Sequence, residues 1–148
     1  MKAKLGQAAA ACLAALLAAA PAHAADEQAK IDLVKKVYQT EQYARYASPS
    51  FQKIIRLGNK AAEKADPEMA CEMYEHYAIG LGNGDSDVKN LKITPMKGNL
   101  VRATFRNGDE QVSTDFDISC TKGRCVINDV NGYRDIYRRI IRTRSCGD

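Results

Sequence analysis

Residues 101–118 read VRATFRNGDEQVSTDFDI, and their alternation decides the fold. Val101, Ala103 and Phe105 alternate with Arg102, Thr104 and Arg106, the period of a strand with one buried face. Asn107-Gly108 is a strong hairpin signal, because both residue types accept the positive φ of a tight turn. A two-residue loop there sets Arg106 opposite Asp109 and Ala103 opposite Val112, so the apolar face continues through Val112, Thr114, Phe116 and Ile118. Arg102, Thr104, Arg106, Asp109, Gln111, Ser113, Asp115 and Asp117 collect on the other, solvated face.

Working outward, Cys120-Thr121-Lys122-Gly123-Arg124-Cys125 predicts a second hairpin with Lys122-Gly123 at its tip. Counting through this turn places Ile118 opposite Ile127 and Phe116 opposite Asp129. Asp129 is then the one carboxylate on the apolar face, where it needs a partner or water. Upstream, Leu91 and Ile93 begin a first strand and Lys97-Gly98-Asn99 turns it. Downstream, Gly132 closes the sheet, and Tyr133, Ile136, Tyr137, Ile140 and Ile141 carry the spacing of a packed terminal helix.

The first half of the chain is helical in pattern. Ile31, Val34, Val37 and Tyr38 predict a long amphipathic helix over 26–47. Ser48-Pro49 gives an N-cap followed by proline at the first helical position, with Phe51, Ile54 and Ile55 as the apolar face of a second helix that fades at Gly58 or continues to Ala65. Asp66-Pro67-Glu68 repeats the start signal, and Met69, Met73 and Tyr77, four apart, predict one core stripe of a short third helix. Gly80 to Asp87 is a loop. Asn83, Asp85 and Asp87 alternate there as calcium ligands do, but Val88 stands where such a loop needs glycine and no glutamate closes it. The expected architecture is α+β: N-terminal helices packed on a curled antiparallel sheet of about four strands, with a C-terminal helix.

Lys2 and Lys4, the thirteen-residue apolar run Ala8–Ala20, and Ala22-His23-Ala24 have the three parts of a cleavable signal peptide over residues 1–24. The run is shorter than the roughly 20 residues that span a bilayer, so no transmembrane segment is expected after cleavage. Lipoprotein processing at Cys12 would cut the run near its start. The expected product is one exported, periplasmic domain over 25–148, whose net charge falls from +4 to +2. That mild balance gives no argument for nucleic acid. Cleavage removes His23 and Cys12, leaving His76 and four cysteines. In an oxidising compartment these predict two disulfides: Cys120 with Cys125 across the hairpin and, by elimination, Cys71 with Cys146. Their uneven spacing fits a zinc site poorly, and no metal or cofactor is expected.

Tyr46-Ala47-Ser48-Pro49-Ser50-Phe51, the Asp66-Pro67 start and Val126-Ile127-Asn128-Asp129-Val130-Asn131-Gly132 before the last helix resemble the nuclear-transport-factor-like (cystatin-like) α+β superfamily. Within it the chain looks like a bacterial exported domain-of-unknown-function family. Members of that superfamily use a cone between helices and sheet, some as enzymes and many as ligand pockets or protein-binding modules. Where many of its strands carry a tryptophan before the Ile-Asp segment, this chain has Arg124-Cys125.

A ketosteroid-isomerase-like enzyme would use Asp129 as its acid or base, with Tyr38 or Tyr77 as hydrogen-bond donor. A second alternative is a small-ligand cavity protein. With one histidine, taken here as structural, and oxidised thiols, triads and cysteine nucleophiles lose their raw material. The densest charge is Arg134, Arg138, Arg139 and Arg142 on the terminal helix. The leading expectation is a non-catalytic binding protein that engages or inhibits an envelope enzyme or toxin through these arginines; anionic lipid and cell-wall polymer are the other acidic partners of that class.

Overall fold

The computed structural model describes residues 19–82 and 86–147. The charged start and most of the apolar run of the signal peptide, Cys12 included, lie outside the described residues, as do Asn83 and Asp85 of the calcium-like loop. The elements are α1 (Ala19–Thr40), a 3-10 turn at Ala44–Tyr46, α2 (Pro49–Ala65), a second such turn at Ala70–Glu72, and the single-turn α3 (Glu75–Ala78). Strands β1 (Val88–Pro95), β2 (Leu100–Asn107), β3 (Glu110–Thr121) and β4 (Arg124–Val130) follow, then α4 (Tyr133–Thr143). The strands pair in sequence order as one antiparallel sheet. The protein is therefore α+β, with helices before and after a four-stranded sheet. Among the described residues, no helix is long and apolar enough to cross a membrane.

The alternating face forms as the spacing requires. Val101, Ala103, Phe105, Thr114, Phe116 and Ile118 are buried, and they join Leu33, Val34 and Val37 of α1 and Phe51 and Ile55 of α2 in one core. The β2–β3 register is two residues from expectation: Asn107 pairs with Glu110 and Ala103 with Thr114, so the loop is Gly108-Asp109. Of those two only Gly108 has a positive φ, the requirement of a type II′ turn. A slip of two preserves the face; a slip of one would have inverted it.

That inversion occurs on β4. Ile118 pairs with Ile127, but Asp117 pairs with Asp129 and Phe116 with Val130, so Asn128 is an extra residue in the register. The bulge sends Val130 to the core and turns Asp129 to the outer face, correcting its expected position opposite Phe116.

The helical half differs in two places. Helix α1 stops at Thr40 instead of reaching Ala47, because Glu41 is left-handed (φ 56°) and returns its N–H to the Val37 carbonyl at 2.6 Å. This break lets Tyr43 enter the core, fully buried. Past α2, Asp66 accepts the N–H groups of Met69 and Cys71 as expected, but only a 3-10 turn follows directly, and the short helix α3 starts later, at Glu75. Ala70, Cys71 and Glu72 are all left-handed, so Met73 is buried while Met69 is exposed, and the expected stripe does not form.

Helix α2 itself runs to Ala65 through Gly58. The Tyr137 ring of α4 lies so close that a Cβ at position 58 would sit 2.1 Å from its Cδ1. Both disulfides pair as expected: Cys71–Cys146 pins the C-terminal tail beyond α2, and Cys120–Cys125 crosses the last hairpin with Cα atoms 4.0 Å apart.

Candidate functional site

The bulge at Asn128 decides the fate of the sequence-derived candidates. Asp129 accepts the Arg134 N–H at 2.9 Å and so caps the first turn of α4, where a carboxylate is favoured by the unpaired amides. It faces away from the core. Tyr38 lies on the inner face, its ring 5.0 Å from Phe105, and its hydroxyl donates to the Ile79 carbonyl at 3.1 Å. The sheet thus separates Asp129 from Tyr38, so that pair does not form. Burial pushes the Tyr38 hydroxyl well above its ordinary value, keeping it a neutral donor. Thr114 also donates to Ile79, and Asn131 to Ala78, so these polar groups finish the short helix α3. Tyr77 stacks beside Tyr74, ring centroids 6.1 Å apart. His76 pairs with Glu41 at 3.3 Å, and Ser86 donates to the same carboxylate.

The outer face of the sheet holds a hollow of about 330 Å³ lined by Leu100, Asp115, Asp117, Asp129, Asn131 and Gly132. Its carboxylates are partly committed. Arg102 grips Asp115 through two bonds of 2.7 and 2.8 Å and holds its carboxyl below the usual range, while Asp129 caps α4. Among the described residues, no group of three or more His, Cys, Asp or Glu side chains is placed to hold a metal ion.

The four arginines of α4 divide by role. Arg134 donates to the Asn128 carbonyl that the bulge leaves over and to Ser50 on α2, with its guanidinium 5.7 Å above the Phe51 ring. It ties β4, α2 and α4 together. Arg138 and Arg142 follow at four-residue steps, so they lie along the same flank, beside α2; both are exposed, and Arg138 reaches Asp135 at 3.1 Å. Arg139 is half-buried on the opposite flank.

Helix α2 completes this surface. Its start meets the start of α4 at Ser50 and Arg134, and its end adjoins the Cys71–Cys146 bond, so the two helices run parallel. Leu57 and Lys64 follow Ser50 at seven-residue steps, and exposed Lys53 lies beside them. Each helix carries four cations and one anion. The pair therefore holds a net +6 while the whole chain is only +4. Of these cations, exposed Lys53, Lys64, Arg138 and Arg142 line a seam with exposed Leu57 near its middle. The contribution of α2 was missed in the sequence, although the spacing of Lys53, Arg56, Lys60 and Lys64 was visible there.

No protein-family model matches the chain, and no curated protein or solved structure matches it. What fold and surface define is a disulfide-bonded α+β domain with one strongly cationic helical face.

Proposed function

We propose that this chain is a small, exported, non-catalytic binding protein of the periplasm, which engages or inhibits an envelope protein through the seam between α2 and α4. The observation that carries this reading is the clustering of charge: exposed Lys53, Lys64, Arg138 and Arg142 lie along one seam around exposed Leu57. A field of that sign accelerates encounter with an acidic surface, and Leu57 offers an apolar anchor within it. The signal-peptide pattern and the two disulfides support export, and helices followed by an antiparallel sheet support placement in the nuclear-transport-factor-like superfamily.

The test is recovery of a partner from periplasmic extract by native protein and by the Arg138→Glu/Arg142→Glu variant. Arg134 is left intact because it holds Asn128 and Ser50. Recovery should fall by about tenfold in the variant and also as salt is raised. Equal recovery would reject the seam, and saturable binding to anionic vesicles in purified buffer, with no protein recovered, would replace the protein partner by a lipid surface.

A further inference from the structure

Beside the seam, α2 borders a cleft that reaches round the helix from Lys60, seven residues after Lys53. Gln52, Ile55, Arg56, Asn59, Lys60 and Glu63 line it from α2, Ala44 from the turn before that helix, and Glu75 from α3. Its volume is about 580 Å³, within the range of small-molecule sites.

The chemistry of its walls is divided. Arg56 and Lys60, one turn apart, are exposed and have no ion-pair partner among the described residues. Across from them is Glu75, half-buried, whose carboxylate accepts the Ala44 N–H. Burial raises its carboxyl above the ordinary value, the signature of an anion short of solvation, although the nearby His76 eases this. Asn59 also lines the cleft, but its Oδ1 is sealed from solvent and does not reach it.

We propose that this cleft binds a small zwitterion, a short chain carrying one ammonium and one carboxylate. The ammonium lies against Glu75, and the carboxylate lies between Arg56 and Lys60. Ile55 and Ala44 supply the apolar wall for the connecting chain. Glu63, one turn beyond Lys60, selects for a single carboxylate by repelling a second. Lys60 borders both this cleft and the seam, but Arg138→Glu/Arg142→Glu leaves every cleft residue in place and Glu75→Gln leaves the seam intact, so either site can fail while the other stands.

Glycine, γ-aminobutyrate and ε-aminohexanoate differ in the distance between their two charges and serve as probes, with butyrate and butylamine as single-charge controls. Binding to the full chain is followed by calorimetry or amide chemical shifts at low salt. At least one zwitterion should saturate, about tenfold or more tightly than either control. Glu75→Gln, which keeps an oxygen for the Ala44 N–H, should reduce that zwitterion to the affinity of butyrate. Arg56→Ala/Lys60→Ala, at exposed positions, should reduce it to that of butylamine. No saturable zwitterion binding, a control that binds equally well, or affinity unchanged in either variant would overturn the proposal.

Discussion

Asp129 Oδ1 accepts the backbone N–H of Arg134 at 2.9 Å, and the Arg134 side chain returns to the carbonyl of Asn128, the residue before that aspartate. Strand end and helix start are therefore locked by a reciprocal pair of contacts around one bulged residue. Asp129→Ala removes the cap and should cost about 1 kcal/mol, a few degrees in Tm. Asp129→Asn, which keeps an acceptor oxygen, should cost less. Thermal denaturation of the two variants checks the order, and equal losses would mean that the cap is not what Asp129 supplies.

The two disulfides should differ in weight. Loop-closure entropy rises with the length of chain enclosed, and the separations are 75 residues for Cys71–Cys146 and 5 for Cys120–Cys125. Replacing the first pair by serine should cost about 4.5 kcal/mol and the second about 2 kcal/mol. Urea titration of each double variant reads the difference, and native protein should show no reactive thiol among these four after denaturation.

Tyr43 and Tyr137 share a buried hydroxyl contact of 3.3 Å. Burial pushes the Tyr137 hydroxyl up to about 12 and that of Tyr43 higher, so both are neutral across the working pH range. Replacing either by phenylalanine leaves the other hydroxyl unpaired and should cost about 1 to 3 kcal/mol. The double variant should cost clearly less than the two single losses together. A strictly additive cycle would show that the hydroxyls do not support each other.

Glu75 predicts a pH dependence. Its folded value lies above its unfolded one, so above both the folded state carries the penalty of a half-buried anion. The penalty shrinks as pH falls through the raised value and is gone below the ordinary glutamate range. Glu75→Gln should therefore be more stable than native protein at pH 7, with the advantage vanishing in acid. The lowered value of Asp115 acts in the opposite sense, its contribution being lost as pH falls, but it is common to both proteins and cancels in the difference. Denaturant midpoints of the pair across pH 3 to 8 test this.

Gly58 shows how much of the fold was legible and where legibility ended. Its place within a helical pattern left open whether the helix faded or continued, and only the Tyr137 ring of a helix far along the chain explains a glycine there. Asp129 makes the same point for the candidate site. Alternation and the Lys122-Gly123 turn correctly paired Ile118 with Ile127, but a single unpaired Asn128 reversed every side chain after it and turned the supposed acid outward.

The sequence by itself determined the class of fold, the buried face of β2 and β3, the cap and proline that start α2, and the Cys120–Cys125 pairing across its hairpin, with Cys71–Cys146 expected only by elimination. These follow from side-chain alternation, local backbone preference and short loops, which act between neighbours in the chain. Tertiary structure alone decided the outward turn of Asp129, the entry of Tyr43 into the core and the alignment of α2 beside α4. Each depends on contacts between segments distant in sequence, where a bulge or a left-handed residue is tolerated because packing or hydrogen bonding elsewhere offsets it.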